Sequence, residues 1–116
     1  MKSYCFACDL KDDDQLIKEY EGHHVKVWPH ILQSITAAGI TQMQLFRAGN
    51  RLFMIMEVED DFSFERKAAA DAADPTVVKW ENLMWTYQQA IPVAKPGEKW
   101  VLMNKMFDMV EQLENP

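Results

Sequence analysis

The chain has 116 residues, 48% of them hydrophobic and 26% charged, and a formal charge of -6. That length holds one domain, residues 1–116, with a single core. An acidic balance without a basic stretch points away from nucleic acid and anionic membrane surfaces. No apolar run approaches the roughly 18 residues of a membrane span, and no leader pattern opens the chain, so a cytoplasmic location is expected.

Residues 2–10 are rich in strand formers, with Tyr4, Phe6 and Cys8 on one parity, which predicts a strand covered on both faces. Cys5 and Cys8 sit in Cys-Phe-Ala-Cys. Three residues apart on a strand, they face opposite sides, and no second pair completes a structural zinc set. Two reduced thiols are therefore expected. Asp12, Asp13 and Asp14 suit the positive end of a helix that runs through Leu16, Ile17 and Tyr20 towards residues 22–24. The residue before a proline is pushed out of helical geometry, while proline is welcome at a first helical position. The chain should therefore pause near residues 25–28 and restart at Pro29, with Ile31, Leu32 and Ile35 as an apolar stripe and Gly39 as its stop.

Residues 41–46 alternate, with Met43 and Leu45 on one side. Ala48-Gly49-Asn50 reads as a turn, and residues 52–58 as the returning strand of a hairpin. Residues 61–73 predict an alanine-rich helix, and Asp74-Pro75 starts another through Val78, Leu83, Trp85 and Tyr87. Trp80 and Met84 share one face of that helix, and Trp85 is the expected core residue. Pro92, Pro96 and Gly97 mark a loop. The tail fits either a helical face (Met103, Met106, Val110, Leu113) or a strand over residues 103–109. With a last strand in the tail, the order strand, helix, strand, strand, helix, strand is the α+β, ferredoxin-like split pattern.

Chemistry concentrates in residues 19–32, which hold all three histidines with Tyr20, Trp28 and Pro29. Histidine alone exchanges a proton near neutral pH without a large perturbation. His23 and His30 would stand about two helical turns apart, roughly 10 Å, and neighbouring His23 and His24 diverge, so metal binding is not expected. Tyr20 and His24 are four apart and share a helix face. His24 also falls at the predicted helix C-terminus, where the dipole favours a protonated, proton-donating ring. The tryptophans offer apolar faces for sugar C–H groups and N–H donors for hydroxyls. No phosphate loop, dinucleotide fingerprint or serine nucleophile elbow is present.

The succession Tyr20, His24, Trp28-Pro29, with Gly39 before a hairpin and Trp80 on a later helix, resembles the L-rhamnose mutarotase family. Its pattern Tyr-x-x-x-His-x-x-x-Trp-Pro is matched over residues 20–29. The likeness runs from Phe6 through the hairpin and Trp80 to residues 103–109, which resemble the family's last strand. It implies a two-layer ferredoxin-like sandwich of the dimeric α/β-barrel type, a homodimer, and interconversion of the α and β anomers of a 6-deoxy-hexose, L-rhamnose first, without a cofactor. His24 falls on the family's catalytic histidine. Tyr20 and Trp80 fall on sugar-contacting positions, and Trp28, Trp80 and Met43 would face the ring and its 6-methyl group. Met43 stands where the family often has tyrosine, and Glu81 where it often has a second tryptophan. These departures keep L-fucose as an alternative sugar, with Glu81 a partner for sugar hydroxyls or for His24. Cofactor-free monooxygenases and non-catalytic binding domains share the fold type and form the competing class.

Overall fold

The computed structural model describes residues 2–115. Strand β1 (Lys2–Leu10) is followed by helices α1 (Asp14–His23) and α2 (Pro29–Ala37). Strands β2 (Ile40–Ala48) and β3 (Arg51–Val58) form the hairpin, and helices α3 (Phe64–Ala73) and α4 (Pro75–Trp85) follow. Short strands β4 (Gln88–Gln89) and β5 (Val101–Leu102) and helix α5 (Met109–Glu114) complete the chain.

The local sequence explains these boundaries. The Asp13 carboxylate accepts from the Leu16 N–H at 3.0 Å and starts α1. Ser63 does the same for α3. Asp74 accepts from the N–H groups of Thr76 and Val77 and, with Pro75 at the first helical position, starts α4. Each cap fills donors that the first helical turn leaves open. Gly39 has φ 89° as the chain leaves α2, a conformation an L side chain resists, and Gly49 has φ 60° at the hairpin turn.

The sheet is antiparallel in the order β2-β3-β1-β4, and β5 also pairs with β1. Leu10 lies opposite Gln88, and Phe6 opposite Leu102. The fourth strand of the ferredoxin-like pattern is thus two short pieces on one edge of β1, separated by residues 90–100. Helices α1–α4 pack on one face, and the residues of α5 are exposed. Leu10, Ile17, Tyr20, Ile31, Leu52, Val77, Trp80, Met84 and Tyr87 form the main core, and Ile40, Met56 and Val58 form a second cluster beside it. A bulge between Ile40 and Gln42 inserts an extra residue in β2. Side chains alternate along a strand, so the extra residue keeps Ile40 on the helix side while turning Met43 and Leu45 there too.

Several expectations need correction. The last strand does not occupy residues 103–109. Only the Met103 N–H continues the pairing, to the Cys5 carbonyl at 2.8 Å, and the helix begins at Met109. The two-sided covering of β1 holds only towards its C-terminal end: Cys8, Asp9 and Leu10 are buried, Tyr4, Cys5, Phe6 and Ala7 are half-buried, and Lys2 and Ser3 are exposed. Trp80, not Trp85, is the core tryptophan of α4, at 7% exposure. Trp85 is half-buried with the Lys99 ammonium over its ring, and Val78 is exposed. Tyr87 lies beyond the end of α4 and is still buried. Both cysteines are free, and burial pushes the Cys8 thiol up to about 11, which leaves it a protonated, unreactive core group. No helix among the described residues is long and apolar enough to cross a membrane.

Candidate active site

A cleft of about 850 Å³ opens between the helix layer and the sheet, within the roughly 300–1,000 Å³ of small-molecule pockets. Met43 and Leu45 of β2, with Met54 and Met56 of β3, form its floor. Tyr20 and His24 from the end of α1, and Trp80 and Glu81 from α4, stand on its walls. Five of the six residues singled out in the sequence therefore meet in one hollow. Trp28 does not line it. Its ring packs edge-on against Trp80 at 5.0 Å and so backs the wall.

His24 caps the C-terminal end of α1. Its Nδ1 lies 2.8 Å from the Tyr20 carbonyl oxygen. A carbonyl only accepts, so Nδ1 carries the hydrogen in the neutral ring and Nε2 holds the lone pair. The ring also contacts Tyr20 at 4.5 Å and Trp80 edge-on at 5.7 Å, which fixes its plane. Burial is the largest influence on its proton affinity and pushes it below the ordinary value. The bond to the Tyr20 carbonyl pulls the other way, and neighbouring His23 adds a small downward push. The expectation of a protonated ring favoured by the helix end is corrected accordingly: desolvation outweighs the bond to the Tyr20 carbonyl, and the ring is held towards its neutral form. The orienting partner of that ring is a backbone carbonyl, not Glu81.

Tyr20 is 3% exposed. Its hydroxyl accepts from Gln88 Nε2 at 3.0 Å, which leaves its own hydrogen to donate. Burial pushes the phenol up to about 12, with Glu81 adding the smallest upward push, so Tyr20 stays protonated over the working pH range. Tyr20→Phe is expected to cost about 1–3 kcal/mol of stability, because the Gln88 amide would stay buried without its acceptor. A urea titration of both proteins measures the difference, and equal midpoints would remove this role.

The other histidines are engaged elsewhere. His23 Nε2 meets the Tyr87 hydroxyl at 3.2 Å, and His30 Nε2 meets the Asp74 carboxylate at 2.6 Å, tying α2 to the start of α4. Among the described residues, no three His, Cys, Asp or Glu side chains gather as a metal set. Sequence reasoning missed Gln88, Trp100, Phe64, Lys67 and Asp71, all of which line the cleft. Gln88 and Trp100 flank a loop without periodicity. The other three recur at helical spacing on α3, a signal that was available.

These features define a small ferredoxin-like α+β domain with an aromatic-walled cleft and one oriented, neutral imidazole at its wall. The profile of the L-rhamnose mutarotase family matches residues 3–109, and the chain belongs to that family. The L-fucose mutarotase of Xanthomonas campestris pv. campestris is 43% identical over 113 residues, covering 96% of this chain and 90% of that one. The L-rhamnose mutarotase of Enterococcus faecalis is 30% identical over 80 residues, covering 67% of this chain and 74% of that one. The crystal structure of the L-rhamnose mutarotase of Formosa agariphila matches with a TM-score of 0.69 at 20% identity, over 94% of this chain and 99% of that one. That last likeness is one of fold.

Proposed function

We propose that the protein interconverts the α and β anomers of a 6-deoxy-L-hexose, with L-fucose ahead of L-rhamnose, as a cytoplasmic, cofactor-free homodimer. The observation that carries this reading is His24: its Nδ1 is held by a carbonyl, and the described residues supply no hydrogen bond to Nε2, on the wall of a cleft with ample room for a monosaccharide. Mutarotation takes a proton from the anomeric hydroxyl, breaks the bond from C1 to the ring oxygen, and returns a proton to that oxygen. Rotation of the aldehyde and the reverse steps give the other anomer. His24 Nε2 takes the first proton and gives it back, so the ring ends as it began. The Tyr20 hydroxyl donates to the sugar. Trp80 and Met43 cover its apolar face and 6-methyl group, and Glu81 accepts from a hydroxyl.

Met43 and Glu81, where the L-rhamnose pattern has aromatic residues, support L-fucose. So does the 43% identity to an L-fucose mutarotase. The sheet face away from the helices supports the dimer: Phe46 is 53% exposed there and pairs with half-buried Phe53 across the hairpin. Saturation-difference NMR on L-fucose and L-rhamnose tests the activity. Exchange well above the spontaneous rate is expected, fastest on L-fucose. Spontaneous rates with both sugars, or oxygen uptake in a parallel electrode cell, would remove the mutarotase reading.

A further inference from the structure

Helix α3 turns the stripe Phe64, Lys67, Ala68 and Asp71 towards the cleft, the i, i+3, i+4, i+7 spacing that marks one helix face. In an amphipathic helix this inner stripe is apolar. Here it holds a lysine and an aspartate joined as an ion pair, with side chains 26% and 24% exposed. Lys67 and Asp71 are the half-buried members of the stripe, while Phe64, Ala68 and the outward Ala69, Ala70, Ala72 and Ala73 are exposed.

Helix stability does not account for this arrangement. A cation four residues before an anion is the weaker order for such a pair. The lysine lies in the N-terminal half of α3 and the aspartate in its last turns, so both oppose the helix dipole. The pair is only part-buried, and ion pairs taken further out of water are commonly replaced by apolar residues at no loss of stability. Yet the pair stands in a hollow whose floor is methionine and leucine, where a polar ligand would find few other charges.

We propose that Lys67 and Asp71 form the sugar-selecting element of the cleft, reading a cis pair of neighbouring ring hydroxyls. An ammonium offers only donors and a carboxylate only acceptors. Held side by side, they match two adjacent hydroxyls, one accepting from Lys67 and the other donating to Asp71. This deepens the mutarotase reading and rests on it. His24 must face the anomeric carbon and ring oxygen. The pair is carried by α3, not by α1, so it meets the ring away from C1, and the proposal gives it the C3–C4 edge. In L-fucose the hydroxyls of that edge are cis. In L-rhamnose, and in 6-deoxy-L-glucose, the C4 epimer of L-fucose, they are trans.

The test uses the double variant Lys67→Met/Asp71→Leu, which leaves no unpaired charge and is expected to fold with an unchanged circular-dichroism spectrum. Lys67→Gln/Asp71→Asn, closer in shape, serves as a second variant. L-fucose and 6-deoxy-L-glucose are each titrated into wild type and variants by protein-observed NMR, and anomer exchange is followed on both. Wild type is expected to bind L-fucose about 10-fold or more tightly than its epimer, and the double variants to lose that preference through a weaker L-fucose Kd. Their KM for L-fucose should rise with kcat retained. Equal L-fucose binding in wild type and both variants overturns the role of the pair, and so does an unchanged preference between epimers. Because binding is read separately from exchange, a wild type that binds L-fucose through the pair but does not speed its exchange removes only the mutarotase reading.

Discussion

Replacing His24 with alanine is expected to remove about 10²–10⁴-fold of the acceleration of anomer exchange, while the protein stays folded. The ring is half-buried and makes one hydrogen bond, to a carbonyl at the end of α1, so its loss leaves no buried donor unpaired. His24→Gln, which keeps polarity but not proton exchange, should be equally slow. Exchange at the wild-type rate in either variant would take His24 out of the reaction. The pH profile supplies an independent check. Burial holds the ring below its ordinary value of 6.5, so the basic form should persist to lower pH than in free histidine. Exchange should be level above pH 6.5 and fall as pH drops through the folded value. Stability follows the same sign. Below 6.5 the unfolded chain takes up the proton first, so the contribution of His24 is intact above that value and is lost as pH falls through the folded one. His24→Ala should flatten both dependences.

Trp80→Ala is expected to destabilise the protein by about 3–5 kcal/mol and to slow exchange in whatever fraction remains folded. Trp80 is 7% exposed within the main core, with Trp28 edge-on behind it and His24 edge-on beside it. Removing the indole opens a cavity that helix and sheet close only in part, and it frees the imidazole plane. Trp80→Phe, which keeps an aromatic wall, should lose much less. Urea unfolding measures the first effect. A loss under about 1 kcal/mol for the alanine variant would show that the wall collapses easily and does not hold the imidazole.

Much of this was legible because its causes are local. Asp13, Asp74 and Pro29 set helix starts through their own backbone geometry, and Gly39 sets a stop. The spacing from Tyr20 to His24 is enough to stack two rings on one face. What could not be read depends on the third dimension. Val101 and Leu102 pair with β1 only because residues 90–100 leave the edge and return. No periodicity in the tail marks two paired residues. Trp80 and Trp85 differ in burial because of where α4 meets the sheet, which a hydropathy pattern crowded with tryptophan does not reveal. The direction of the His24 shift is set first by desolvation, against the bond to the Tyr20 carbonyl. The four-residue spacing hints at the bond, and nothing in the chain order shows the burial.

The divided fourth strand has a consequence for how such a protein diversifies. Residues 90–100 are clamped on both sides to one rigid edge, by Gln88–Gln89 before them and Val101–Leu102 after. Doubling such a segment adds only about 0.6 kcal/mol of closure cost. It is flanked by Gln88 and Trp100, which both line the cavity. Insertions there would reshape the surface beside that wall while His24, carried by a separate helix, kept its place.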